Sequence, residues 1–197
     1  MADPAFTFSS SPIDAALTKR ITGSSWHAGC PVPIEDLRYL RIGYWDFSGT
    51  THLGEMIVHK DAVDDVRGAF EQLFTDRFPI RSMRLVDDFG GDDFTSIEAD
   101  NTSAFNCRLR TGSKTEYSQH SYGLAIDIDP IENPYVNTDG TTAHRKSRTY
   151  LDRSKLRPGM AAAGGPLVAA FTKVGWIWGG TWDPPPVDLQ HFSKNGR

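Results

Sequence analysis

Cysteine is scarce: Cys30 and Cys107 are the only two in 197 residues, far apart and with no Cys-x-x-Cys unit. That spacing argues against a cysteine-built zinc site. The two thiols either pair in an oxidising compartment, closing a long loop, or lie buried and reduced. No apolar run approaches the roughly eighteen residues that a membrane helix needs. The opening MADPAFTFSSSPIDAALTKR lacks the basic-then-apolar pattern of a signal peptide, so the expectation is a chain made without one or a mature segment whose signal has been trimmed. There is no internal repeat, no low-complexity linker and no excess of positive charge. With 21 Lys and Arg against 25 Asp and Glu the net charge is −4, which argues against nucleic acid as the partner. The helical His-Glu-x-x-His zinc-protease motif is also missing.

The residues that remain can build a core. Hydrophobic residues make up 39% and charged ones 23%, which excludes disorder as the main state and suits one full-sized domain over 1–197. Eighteen glycines, twelve prolines and five tryptophans indicate long loops and aromatic surfaces for a cleft. Residues 1–12 read as a flexible lead-in and 194–197 as a short tail. IDAALTKRI (13–21) has helical spacing behind a capping serine cluster. HLGEMIVHK (52–60) alternates like a strand. Residues 61–78 repeat apolar side chains at Val63, Val66, Phe70 and Phe74, a helix entered through Asp61 as N-cap. Residues 79–89 read as the next strand and 90–108 as an ordered loop. In LAIDIDP (124–130) Leu124, Ile126 and Ile128 alternate with Ala125, Asp127 and Asp129, which turns Asp127 away from the apolar face. Residues 144–157 read as a basic surface excursion, 159–174 as a helix, and 175–193 as an aromatic turn leading into a last short strand. Mixed loop lengths favour an α+β fold over a doubly wound sheet.

Six histidines occur, and four can be set aside. His27 and His144 have no partner at useful spacing. His52, Glu55 and His59 would share a face on a helix, but on a strand His52 and His59 point to opposite sides. His120 and His191 differ, because Asp127 follows the first by seven positions and Asp188 precedes the second by three. Two histidines with one carboxylate form a usual catalytic zinc set, with one position left open. A buried carboxylate needs compensation, and a cation would supply it for Asp127. The plainer reading of each half is a hydrogen-bonded His–Asp pair; the two halves together favour a metal. Trp176 and Trp178 read as core, and Trp182, between glycine and proline, as a cleft residue.

SQHSYGLAID (118–127) resembles the S-x-H-x-x-G-x-A-x-D motif of the zinc peptidases that include bacterial D-Ala-D-Ala carboxypeptidases and dipeptidases, the vancomycin-resistance D,D-peptidases among them. The same group holds the L-Ala-D-Glu endopeptidases of phage endolysins. DLQHF (188–192) resembles its second motif, and NTSAFNCR, IENPYV and GWIWGGTW extend the likeness over about residues 50–193, the expected catalytic core. The resemblance implies a small antiparallel sheet backed by helices, as in the hedgehog signalling domain. It implies His120, Asp127 and His191 as Zn²⁺ ligands, Asp188 as general base, and Arg108 as the substrate arginine, with Arg110 close by. Ser118 either contacts substrate or bonds local backbone. The implied reaction is hydrolysis of a peptide bond in peptidoglycan stem peptides, by water acidified at the metal and deprotonated by Asp188, with a guanidinium holding the oxyanion. The alternative is a zinc-containing wall-binding module without turnover. The expected place of action is the cell wall, reached by secretion or, for an endolysin, by release at lysis.

Overall fold

The computed structural model describes residues 4–183 and 185–196. Its largest sheet is antiparallel: β1 (Phe8–Pro12), β2 (Leu37–Trp45) and β3 (Thr51–His59) lie in that order. Between β2 and β3 the Asp46 carboxylate turns the chain by accepting from the Ser48 and Thr50 amides at 2.8 and 2.9 Å. β3 matches the alternation seen in the sequence. β1 corrects the expectation of a flexible lead-in over 1–12: Phe8 pairs with Ile42 and Pro12 with Arg38. Its serines suit an exposed edge, and a proline at the end of an edge strand costs no ladder bond.

The helices are shorter than their sequence patterns. α1 (Ala15–Ile21) is capped by Asp14, which accepts from Leu17 N at 2.8 Å, and not by the preceding serines. α2 (Val63–Thr75) starts after a 3₁₀ turn over Lys60–Ala62, so Asp61 is not its N-cap; the His59 ring caps that turn instead. Residues 79–89 form no strand. They make isolated bridges from Pro79 to Trp45 and from Met83 to Thr102, then a 3₁₀ turn over Val86–Phe89. Gly54 explains the crossing, since a Cβ there would stand 2.6 Å from that of Met83. The expected loop 90–108 contains α3 (Asp93–Glu98), capped by Asp92.

Three further strands make a second antiparallel sheet in the order β4 (Ala125–Asp127), β8 (His191–Ser193), β6 (Ile177–Trp178). β5 (Tyr135–Val136) pairs with β7 (Val187–Asp188). Between them α4 (Pro166–Lys173) takes proline in its first turn, where the missing N–H is harmless. The expected basic excursion 144–157 is only partly one: Arg153 turns inward and donates to the Glu132 and Ala161 carbonyls. Several small antiparallel sheets with helices packed on them make the fold α+β.

The core joins the layers. Leu40, Ile42, Met56 and Val58 of the large sheet meet Val66, Phe70 and Leu73 of α2, which meet Phe171 of α4 and then Ile126 and Phe192 of the second sheet. Full burial of each such side chain stabilises by about 1.5–3 kcal/mol. Trp176 and Trp178 are buried here, as expected. A second cluster holds Ile21, Leu37, Ile57 and Phe105 beside Cys107, and Cys107 is disulfide-bonded to Cys30.

Beyond β4 the chain buries three carboxyls together: Asp100, Asp129 and Glu132. Arg81 faces Asp100 and Glu132 at 3.4 Å each, and the Tyr150 hydroxyl donates to Glu132 at 3.2 Å. Burial pushes the Asp100 carboxyl up to about 7, with Glu132 adding to the shift. Burial likewise raises Asp129, which also feels Asp100. A carboxyl raised in the folded state binds more protons there than when unfolded. The stabilisation that this proton brings is therefore fully present below about pH 4 and is lost as pH rises through about 7. Asn imitates the protonated acid and tolerates the left-handed backbone of Asp100, whose φ is 56°. Asp100→Asn is expected to flatten part of this fall, gaining about 1–3 kcal/mol over the parent at pH 8 and little at pH 4. Urea unfolding at both pH values checks it; parallel profiles would assign the titration elsewhere.

Candidate functional site

The motif residues divide the work of building one centre. Ser118 caps a 3₁₀ turn over Gln119–Tyr122 by accepting from His120 N, and Gly123 ends the turn at φ 65°. Only glycine fits there, because a Cβ would stand 2.4 Å from His59 N of the large sheet. His120 is thereby fixed against the core. Ala125 and Ile126 are fully buried, and Asp127 sits directly opposite His191 in the β4–β8 ladder. Directly opposed residues share a sheet face, so the strand register brings the carboxylate and the imidazole together.

His120 Nε2 lies 3.2 Å from Asp127 Oδ2 and 3.2 Å from His191 Nδ1, and His191 Nδ1 lies 3.2 Å from Asp127 Oδ1. One ligand atom from each of the three falls within 4.8 Å of the others, and all three residues are buried. His120 Nδ1 donates to the Ala104 carbonyl at 2.6 Å, which leaves the Nε2 lone pair of the neutral ring facing inward. Two ring nitrogens and a carboxylate that all present lone pairs repel one another unless protons or a cation lie between them. Burial opposes charge here, yet the two imidazoles hold the Asp127 carboxyl well below the usual range, and Asp127 pushes His120 upward. This donor set fits a divalent zinc ion.

Asp188 stands beside this centre at the end of β7, buried, with its Oδ1 unpartnered among the described residues. Burial pushes its carboxyl up to about 7, and the neighbouring Asp127 charge adds to the shift. A cation at the centre would draw it back down. Gly179 permits the close approach: a Cβ there would meet the Asp188 carbonyl oxygen at 2.5 Å. The Trp182 ring lies 5.4 Å from that of His191 and walls one side.

A family model described as D-alanyl-D-alanine carboxypeptidase matches residues 111–194. The matched segment contains His120, Asp127, Asp188 and His191, and it supports a peptidase acting on peptides of the peptidoglycan type. No curated protein and no solved structure matches the chain.

The centre forms the floor of a cleft of about 890 Å³ whose walls extend beyond the matched segment. Arg108, Ser118 and Trp182 all line it, as does Arg110. Arg108 is the nearer of the two arginines in effect, since its charge is felt at both His120 and Asp188. Its Nη2 meets Asp93 Oδ2 at 2.9 Å, whereas Arg110 pairs with exposed Glu116. Ser118 has its backbone-capping role in the turn and also faces the cleft.

His144, set aside on spacing, also lines the cleft. It packs on the exposed ring of Phe94 at 4.5 Å and bonds Glu98 at 2.7 Å. Asp93, Phe94 and Gln190 are further cleft residues that the sequence reading did not select. The first two lie on α3, inside a polar stretch whose composition suits a loop, and Gln190 sits within DLQHF. His52, Glu55 and His59 do not converge: they bond Asp46, Arg20 and Asp61 respectively.

Proposed function

We propose that the chain is a zinc-dependent peptidase that hydrolyses a peptide bond in bacterial peptidoglycan stem peptides, as a D-Ala-D-Ala carboxypeptidase or an L-Ala-D-Glu endopeptidase, on a D,D-peptidase-like fold. The carrying observation is the convergence of His120, Asp127 and His191 at the floor of a cleft, with buried Asp188 beside them. Those three side chains would hold Zn²⁺. When bound, the ion supplies Lewis-acid polarisation of a carbonyl and acidifies water at neutral pH.

The chain's own groups do the rest. Asp188 takes a proton from the attacking water at its carboxylate and returns one to the leaving amine. Arg108 donates to a substrate oxygen. Ser118 and the Ala104 carbonyl hold His120 in one orientation and one tautomer. Trp182 screens the centre from solvent on one side. The bonded cysteines suit an oxidising compartment, and the proposed place of action is the cell wall, reached by export or at lysis. No helix among the described residues is long and apolar enough to cross a membrane.

The test is incubation of the zinc-loaded protein with purified peptidoglycan, with and without a chelator. New amino termini or released residues that vanish with chelator and return with zinc are expected. Stoichiometric zinc without any product would instead identify a binding module.

A further inference from the structure

Among the described residues, both arginines that line the cleft already face a carboxylate, as does each histidine. Arg108 meets Asp93 at 2.9 Å, Arg110 meets Glu116, and His144 meets Glu98 at 2.7 Å. Both ring nitrogens at the centre face Asp127. Asp92, next to Asp93, is occupied in capping its own helix through Thr95. A substrate carboxylate placed at Arg108 would have to displace Asp93 or lie against it.

The Arg108–Asp93 pair decides the matter nearest the centre. Neither side chain is strongly exposed, at 26% and 33%, and Arg108 is anchored by its own backbone: its amide donates to Ser121 Oγ, and that hydroxyl donates to the Arg108 carbonyl. The backbone of the arginine is held in place, and Asp93 on α3 offsets its charge. A neutralised guanidinium still donates hydrogen bonds to a peptide carbonyl. It gives little to a free carboxylate, which also meets the Asp93 charge, and like charges brought together are costly in a partly desolvated site.

We propose that Asp93 is a specificity-determining residue. By occupying Arg108 it bars substrates that present a free terminal carboxylate there, and it reserves the cleft for peptides that continue beyond the cut bond. The inference rests on the reading of the cleft as a peptidase site. It assigns this chain to internal cleavage, against the activity in the description of the matching family model. Asp93 acts through Arg108 and takes no part in bond breaking.

The experiment follows two products from one substrate, a soluble pentapeptide stem with a free carboxyl terminus, digested by the zinc-loaded protein and resolved by mass. The parent is expected to give internal fragments in excess over the released terminal residue. Asp93→Asn keeps the shape and removes the charge; it is expected to raise the terminal-to-internal product ratio by about tenfold or more. Asp93→Glu is expected to restore the parental ratio. A merely structural role would change both products together and leave the ratio alone. A parent that releases mainly the terminal residue, or an asparagine variant whose ratio stays within about twofold, overturns the proposal. A zinc-loaded parent that releases neither product overturns the peptidase reading itself, and this inference with it.

Discussion

Asp188→Asn is expected to lower turnover on stem peptides by about 10²–10⁴-fold, the range that positioned acid–base groups supply, while the protein keeps its zinc. The substitution is nearly isosteric, and the backbone of β7 continues to pair with β5 through Tyr135. What disappears is a proton acceptor on a buried side chain whose Oδ1 has no other partner among the described residues. On the proposed mechanism, the amide cannot take the proton that the attacking water would lose. Metal content by elemental analysis and kcat from fragment release decide the case together. His120→Ala is the companion measurement and is expected to lose zinc and turnover alike. Loss of zinc from the Asp188 variant would make Asp188 a ligand and leave the base unassigned.

The second large effect concerns stability. Cys30→Ser with Cys107→Ser removes a cross-link between residues 77 positions apart. Closing a loop of that length in the unfolded chain stabilises by up to about 4.5 kcal/mol, with about 2–4 typical. The loss should appear as a lower urea midpoint, matched by the parent protein under reductant. The bond also ties the N-terminal loop to the residue before Arg108. Cys107 N donates to Ser25 O at 2.9 Å, and Ser25 in turn is held by Asp87. Activity at low temperature, where the reduced protein stays folded, is expected to fall through raised KM. An unchanged midpoint would show that the second hydrophobic cluster holds this region unaided.

The convergence of His120, Asp127 and His191 was legible because three local rules point the same way. Period-two alternation turns Asp127 off the apolar face, Gly123 stands where a bend after His120 is needed, and a short terminal strand carries His191. Their actual meeting depends on the β4–β8 register, which no local pattern encodes. The cleft walls were harder to read. Phe94 and Asp93 lie on a helix of only six residues inside a polar stretch, too short for periodicity to show. His144 looked partnerless because its partners Glu98 and Phe94 are 46 and 50 positions away in sequence. Residues 79–89 have strand-forming composition, but Met83 meets β3 through one backbone bond, Glu55 N to Met83 O, and the rest of the stretch makes only isolated bridges. β1 was missed for the opposite reason: serines disguise an edge that needs few apolar side chains.

The pairing of Asp127 with His191 across adjacent strands has one more consequence. Both positions belong to the ladder, whereas part of the surrounding wall, Asn137, Thr142, Ala143, His144, Trp182 and Pro186, belongs to connections that begin and end outside it. Those connections can lengthen, shorten or change composition without shifting the ladder by a residue. On the proposed reading, the metal-holding residues and these parts of the cleft wall are carried by separate stretches of chain, so the wall can change over an unaltered floor.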